Sequence, residues 1–161
     1  MHTTLQLMFR FACVVAIGAF AAPATAADDV KVPYWASLRV DEVNMRVGPG
    51  EDYRITWVYR RVTLPVKVLR LKEGWRLVRD PEGTEGWMLG RFLSRDRGAI
   101  VTGAGLAEMH EKASADSRLL WRIEPGVVGR LGNCDAGWCR LDAGGHVGFV
   151  RQERLWGAGE P

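Results

Sequence analysis

Two cysteines and two histidines carry most of the chemistry open to this chain. Cys134 and Cys139 are separated by four residues, with His110 upstream and His146 downstream. A thiolate beside an imidazole would make the nucleophile and base of a cysteine peptidase. Cys134, however, falls in a Gly/Asp-rich turn, without the helix-start or strand setting that activates a thiolate. The same four side chains could ligate zinc, although Cys-x4-Cys is an uncommon zinc spacing and free thiolates are at risk in an oxidising compartment. The first expectation is a disulfide between Cys134 and Cys139, which closes a short loop for about 2 kcal/mol and fixes the flexible turn Asp135-Ala136-Gly137. No serine nucleophile elbow, glycine-rich phosphate loop or His-Glu-x-x-His string occurs, and the acidic residues are scattered. The residues therefore predict no enzyme, with no catalytic residue and no metal.

A second group is suited to binding. Tyr53, Trp57 and Tyr59 precede a basic pair, Arg60-Arg61. Strand alternation puts Trp57 and Tyr59 on one face and Val58 on the other. If Val58 points inward, an aromatic face with arginines lies outside, suited to an extended peptide or a glycan-linked acid. Sheet packing of that face against the second half of the chain is the structural alternative.

Residues 1–26 read as a targeting segment. Arg10 supplies the positive end, Phe11 to Ala22 is an apolar run, and Ala24-Thr25-Ala26 is a cleavage site, so cleavage is expected after Ala26. The run is short of the roughly 20 residues that a membrane-spanning helix needs, which predicts no stable membrane anchor. Cys13 goes with the leader, leaving two cysteines in an exported and most simply periplasmic protein. Arg10 is the only charged residue lost, so the net charge falls from +3 to +2. That small excess argues against a nucleic-acid partner. The first half is nevertheless the more basic: residues 35–95 hold 12 Lys/Arg against 8 Asp/Glu, and residues 97–156 hold 8 against 7. An anionic surface would suit that imbalance, as would an ordinary solvated face.

The elements that must position these groups are strands. β-Branched and aromatic runs at Ala36–Val40, Val43–Arg46, Thr56–Tyr59, Pro65–Leu71, Trp75–Arg79, Gly86–Leu89 and Ala99–Thr102 are bounded by Gly, Pro, Asp or Glu. Turn signals fall at Gly48-Pro49-Gly50, Lys72-Glu73-Gly74 and Asp80-Pro81-Glu82-Gly83. Helical spacing is suggested only over Leu106 to Leu120, where an internal repeat argues otherwise. Gly74-Trp75-Arg76-Leu77-Val78 with Gly86-Trp87-Met88 returns as Gly137-Trp138-Cys139-Arg140-Leu141 with Gly148-Phe149-Val150. Asn44-Met45-Arg46 maps onto Glu108-Met109-His110, 64 residues on. Each unit has about 60 residues and would be marginal alone, so the two should pack together. Trp75 with Trp87, and Trp138 with Phe149, are expected to face across the ladder and fill the barrels. Asn44 is expected to bond backbone in a turn, and Arg46 to stack on a tryptophan while pairing with an acid.

The string Val43-Asn44-Met45-Arg46-Val47-Gly48-Pro49-Gly50, then Leu64-Pro65-Val66, Trp75 to Asp80 and Gly83 to Trp87, resembles the bacterial SH3-like (SH3b) domain. The second half, through Cys134 to Arg140, Gly148-Phe149-Val150 and Leu155-Trp156-Gly157, resembles the second copy of exported two-unit SH3-like proteins of Gram-negative bacteria. The resemblance implies an all-β chain of two tandem small SH3-like barrels, without cofactor or catalytic residues. The organisation expected is a signal peptide (1–26), a lead-in (27–34), a first domain (35–98), a second, divergent domain (99–157) and a tail (158–161). The resemblance implies binding of a cell-wall peptide or an envelope protein, and Tyr53, Trp57, Tyr59, Arg60 and Arg61 are the expected ligand residues. A structural, self-associating periplasmic protein is the alternative. The second unit has Lys112-Ala113 where the first has Gly48-Pro49, so recognition is expected on the first unit.

Overall fold

The structure is a computed structural model that describes residues 30–161, so the predicted leader, its cleavage after Ala26 and residues 27–29 lie outside the described residues. Each run of β-formers becomes a strand, and each Gly or Asp cluster the turn that ends it. The first half gives β1 (Tyr34–Leu38), β2 (Val43–Arg46), β3 (Ile55–Tyr59), β4 (Pro65–Lys72), β5 (Trp75–Arg79), β6 (Glu85–Leu89) and β7 (Leu93–Ser94). The second gives β8 (Gly98–Val101), β9 (Ala107–His110), β10 (Leu119–Ile123), β11 (Val128–Asp135), β12 (Trp138–Ala143), β13 (His146–Arg151) and β14 (Leu155–Trp156). The order in the first sheet is β3-β2-β6-β5-β4-β1-β7 and in the second β10-β9-β13-β12-β11-β8-β14, the same path walked twice. The stretch with helical spacing is occupied by β9, a loop and the start of β10, and Gly98–Val101 belongs to the second sheet. Among the described residues no helix is long and apolar enough to cross a membrane.

Turn chemistry fixes the hairpins. Glu73 and Gly74, with φ of 44° and 86°, join β4 to β5, and Ala136 and Gly137, at 47° and 80°, join β11 to β12 in the same way. Two successive residues at positive φ match the twist of a tight hairpin. Across the second of these turns Cys134 and Cys139 are register partners joined by a disulfide.

The pleat decides the core. Val43 and Met45 of β2, Val66 and Val68 of β4, Val78 of β5 and Met88 of β6 form one buried cluster. Ala107, Met109, Leu141, Val150, Ala99 and Val101 form the second. Trp87 and Phe149 are therefore not the barrel fillers expected of them: their neighbours Met88 and Val150 point inward, and both aromatics are half-buried on the outer face. Trp75 and Trp138 are buried but join neither cluster; Trp75 lies opposite Leu89, and Trp87 opposite Leu77. Size favours the aromatic side chain at these positions, whereas period-2 alternation turns the residue after it inward. The motif's glycines explain the choice. A Cβ on Gly86 would collide with Met45 Cγ, and one on Gly148 with Met109 Cγ. Each glycine makes room for the methionine of the neighbouring strand, so the Gly-aromatic motif is a packing signature of the interior.

The two sheets belong to one compact body, Lys31–Pro161. Ile100, Val128 and Trp156 from the second half pack into the first cluster. Trp35 meets Trp156 edge to face, with ring centroids 4.7 Å apart, and its indole nitrogen donates to Gly159 O at 3.1 Å. Gly98 lies against Thr63 O so closely that no side chain would fit. Marginal small barrels thus share apolar surface, as their size requires.

Candidate functional site

The loop after β2 is built on Arg46. Its Nη1 donates to Glu51 O at 2.7 Å and to Tyr53 O at 2.6 Å, and the Tyr53 ring covers Gly48, where a Cβ would strike it. Arg46 therefore acts within the fold, through carbonyl oxygens in place of the expected acid. Asn44 lies within β2 opposite Val58, outside any turn. In the second unit His110 takes the Arg46 position, and its Nδ1 lies 3.0 Å from Ser117 O, the residue 64 positions after Tyr53. Ser117 Oγ bonds the carbonyls of Lys112 and Ser114. The loop that loses Gly-Pro is thus re-tied by other side chains.

The five expected ligand residues separate. Tyr59 is only 8% exposed, pairs with Val43 and joins the first core cluster. Its hydroxyl donates to Asp80 Oδ2 at 2.6 Å, while Asp80 Oδ1 accepts the Thr84 N–H at 2.7 Å. Burial first, then the Asp80 carboxylate, push the Tyr59 phenol well above its usual range. It pins the Asp80–Thr84 hairpin and presents no face to a ligand. The condition set on Val58 fails, because Val58 pairs with Asn44, on the side opposite the buried Val43 and Met45. Arg61 Nη1 donates to Gly126 O at 2.7 Å, linking the halves, and exposed Arg60 pairs with Glu42 at 3.0 Å.

Trp57 and Tyr53 remain on the surface. Trp57 is 61% exposed, on a strand that pairs only with β2 and so ends its sheet. The second unit repeats the arrangement: Trp121, 49% exposed, pairs with Met109 on the end strand β10, as Trp57 pairs with Met45 on β3. Trp121 is not among the ligand residues expected from the sequence, although it lies 64 residues after Trp57, the separation that relates Met45 to Met109. Trp121 stands edge-on to His146, with centroids 4.4 Å apart, and the two line a mostly apolar cleft of about 350 Å³ with Ile123, Val127 and Ala143. An indole beside unpaired strand edge can pack against an apolar group or ring while main-chain groups bond an extended segment.

A more polar cleft of about 480 Å³ lies elsewhere on the second unit. Buried His110 borders it, 3.4 Å from Glu108 Oε2 and edge-on to Trp138, over which the Arg151 guanidinium lies at 4.4 Å. Cys134 and Cys139 are both spent in the disulfide, so neither offers a thiolate to His110 or His146. Among the described residues no three His, Cys, Asp or Glu side chains gather as an ion site.

Two identical paths of short antiparallel strands, each closing over a small core, define a tandem SH3-like architecture, and the comparison with known families agrees. The model of the bacterial SH3 domain matches twice, over residues 39–94 and 104–157, and the chain belongs to that family. It is 24% identical over 136 residues to YrvJ of Bacillus subtilis (strain 168), a protein provisionally named N-acetylmuramoyl-L-alanine amidase; the match covers 77% of this chain and 26% of YrvJ. Among solved structures, NlpC2 from Trichomonas vaginalis is similar at 16% identity and a TM-score of 0.35, over 78% of this chain and 48% of that one. An NlpC/P60 family protein from Bacillus cereus ATCC 10987 is similar at 13% identity and a TM-score of 0.34, over 76% and 56%. The chain thus spans about a quarter of YrvJ and half of NlpC2.

Proposed function

We propose that the chain is an exported, non-catalytic binding module of the cell envelope that holds an extended wall peptide along its open strand edges. The observation that carries this reading is the recurrence of an exposed tryptophan at one position of the end strand in both units, Trp57 on β3 and Trp121 on β10. An exposed indole on an unpaired edge costs solubility and invites unwanted pairing, so its presence twice calls for an occupant. The edge offers main-chain hydrogen bonds, and the indole offers contact to the small apolar side chains of a wall peptide. The name of YrvJ, which concerns wall material, supports a wall ligand. Recognition then belongs to both units.

Retention on purified sacculi at low salt tests the reading. Wild type should be retained, and the Trp57→Ser/Trp121→Ser variant should bind at least about tenfold more weakly, as loss of an aromatic hot spot requires. Absence of wild-type retention would reject the wall ligand. A second reading rests on the apolar neighbours of the first indole: Val47, Ile55 and Trp57 are all exposed, and such an edge could pair with a second copy. It predicts a dimer in sizing chromatography that Trp57→Ser converts to monomer.

A further inference from the structure

Between the two units lies a cleft of about 510 Å³ that the wall-binding reading does not use. Arg39 from the first unit, Arg97 from the connection and Arg130 from the second all line it, with Asp96 as the single acid. None of the three cleft arginines has a carboxylate within 4.0 Å among the described residues; other arginines there share that condition, and what marks these three is that they line one cleft. Asp96 Oδ2 instead accepts the Ser94 hydroxyl at 2.9 Å. Arg97 is the most constrained of the three. Its Nη2 donates to Gly157 O at 2.6 Å and Gly159 O at 3.1 Å, while its Nε is buried without a partner. Burial alone pushes this guanidinium below its usual range, the direction expected for a cation lacking a counter-charge.

The wall of the cleft holds a second irregularity. Thr63 has φ of 69°, a left-handed conformation that β-branched residues avoid, and is kept there by its N–H to Leu38 O at 2.8 Å and by Gly98 packed on its carbonyl. Such strain persists where the surroundings over-determine it, and it concentrates at binding sites. Three arginines lining one concave seam focus positive potential there, and the planar forks of the exposed Arg39 and Arg130, which no hydrogen bond holds, match the oxygens of a phosphate group.

We infer that this seam is an anion site for a phosphate group, carried by a lipid headgroup or free in solution, and that its occupant bridges the two barrels. Each unit contributes an arginine, so the site exists only in the packed pair.

The test uses the whole mature chain. Inorganic phosphate is titrated by calorimetry, and co-sedimentation is measured with vesicles of phosphatidylcholine alone or mixed with phosphatidylglycerol. Arg39→Gln/Arg130→Gln is the informative variant, because both side chains are exposed and neither makes a hydrogen bond within the described chain. Arg70→Gln/Arg140→Gln removes equal charge away from the cleft. The cleft variant should bind at least about tenfold more weakly than wild type, as loss of charge-assisted hydrogen bonds requires, while the control variant stays near wild type. Retention on the anionic vesicles without binding of free phosphate assigns a lipid headgroup; the converse assigns a soluble phosphate. Binding of neither probe overturns the inference, and so does an equal loss in both variants.

Discussion

The two halves of this molecule trace one backbone path and secure it by different chemistry. In the first, Arg46 ties the loop after β2 to two carbonyls; in the second, His110 ties the equivalent loop to Ser117 O, with the Ser117 hydroxyl completing the turn. Tyr59 and Asp80 brace a hairpin of the first unit. In the second, Asp142 still receives the Gly145 N–H at 2.8 Å, but Ile123 stands where Tyr59 would be. Leu71 and Arg76 face each other where Cys134 and Cys139 are joined. What does not change is the glycine that admits a methionine into each barrel and the tryptophan on each outer edge. Surface ties contribute little individually and can be replaced, whereas the space inside a barrel this small cannot be renegotiated. The lesson for the edge tryptophans is that they persist where no packing requirement demands them.

Four experiments bear on how far the two halves are alike. The largest effect is expected from Gly86→Ala and Gly148→Ala, each of which drives a Cβ into a fully buried methionine; a loss of about 2–3 kcal/mol should appear in urea unfolding of both variants alike. A large loss in only one would deny the units a common interior. Tyr59→Phe comes next. It strips a hydrogen bond from the buried Asp80 carboxylate and should cost about 2 kcal/mol at neutral pH. The same phenol gives a pH signature. Because its acid form is favoured by folding, its contribution is complete below the ordinary value of about 10 and declines as pH rises beyond it. The stability of Tyr59→Phe should therefore fall less steeply above that pH than that of wild type, and parallel curves would remove the role given to Tyr59.

Reduction of Cys134–Cys139 should lower stability by about 2 kcal/mol, by denaturant titration with and without reductant. The smallest change belongs to the loops. Arg46→Met should cost about 1 kcal/mol and raise amide exchange at Val47, which donates to Arg54 O across that loop.

Much of the fold was legible. Val43–Arg46 and Trp75–Arg79 form strands with the predicted ends, and the turns at Glu73-Gly74 and Asp80–Gly83 fall where Gly and Asp place them. The core was legible only in part, since tryptophan was favoured by size while strand parity gave the interior to Met88 and Val150. Less of the candidate site could be read. Whether Trp57 and Tyr59 are exposed depends on strand curvature and on Asp80, 21 residues from Tyr59, so identical parity gave one exposed ring and one buried. The arginine cleft had no local signal at all. Arg39, Arg97 and Arg130 are brought together only by the packing of the two units.

Ligand binding is assigned to the open edges of β3 and β10. An amide-resolved NMR titration of residues 30–161 with a soluble wall peptide addresses them directly. It should shift Ile55 to Trp57 and Leu119 to Trp121 together, and the shifts at each edge should vanish when its tryptophan is changed to Ser. Shifts confined to other surfaces, or none on either strand at saturating peptide, would contradict it.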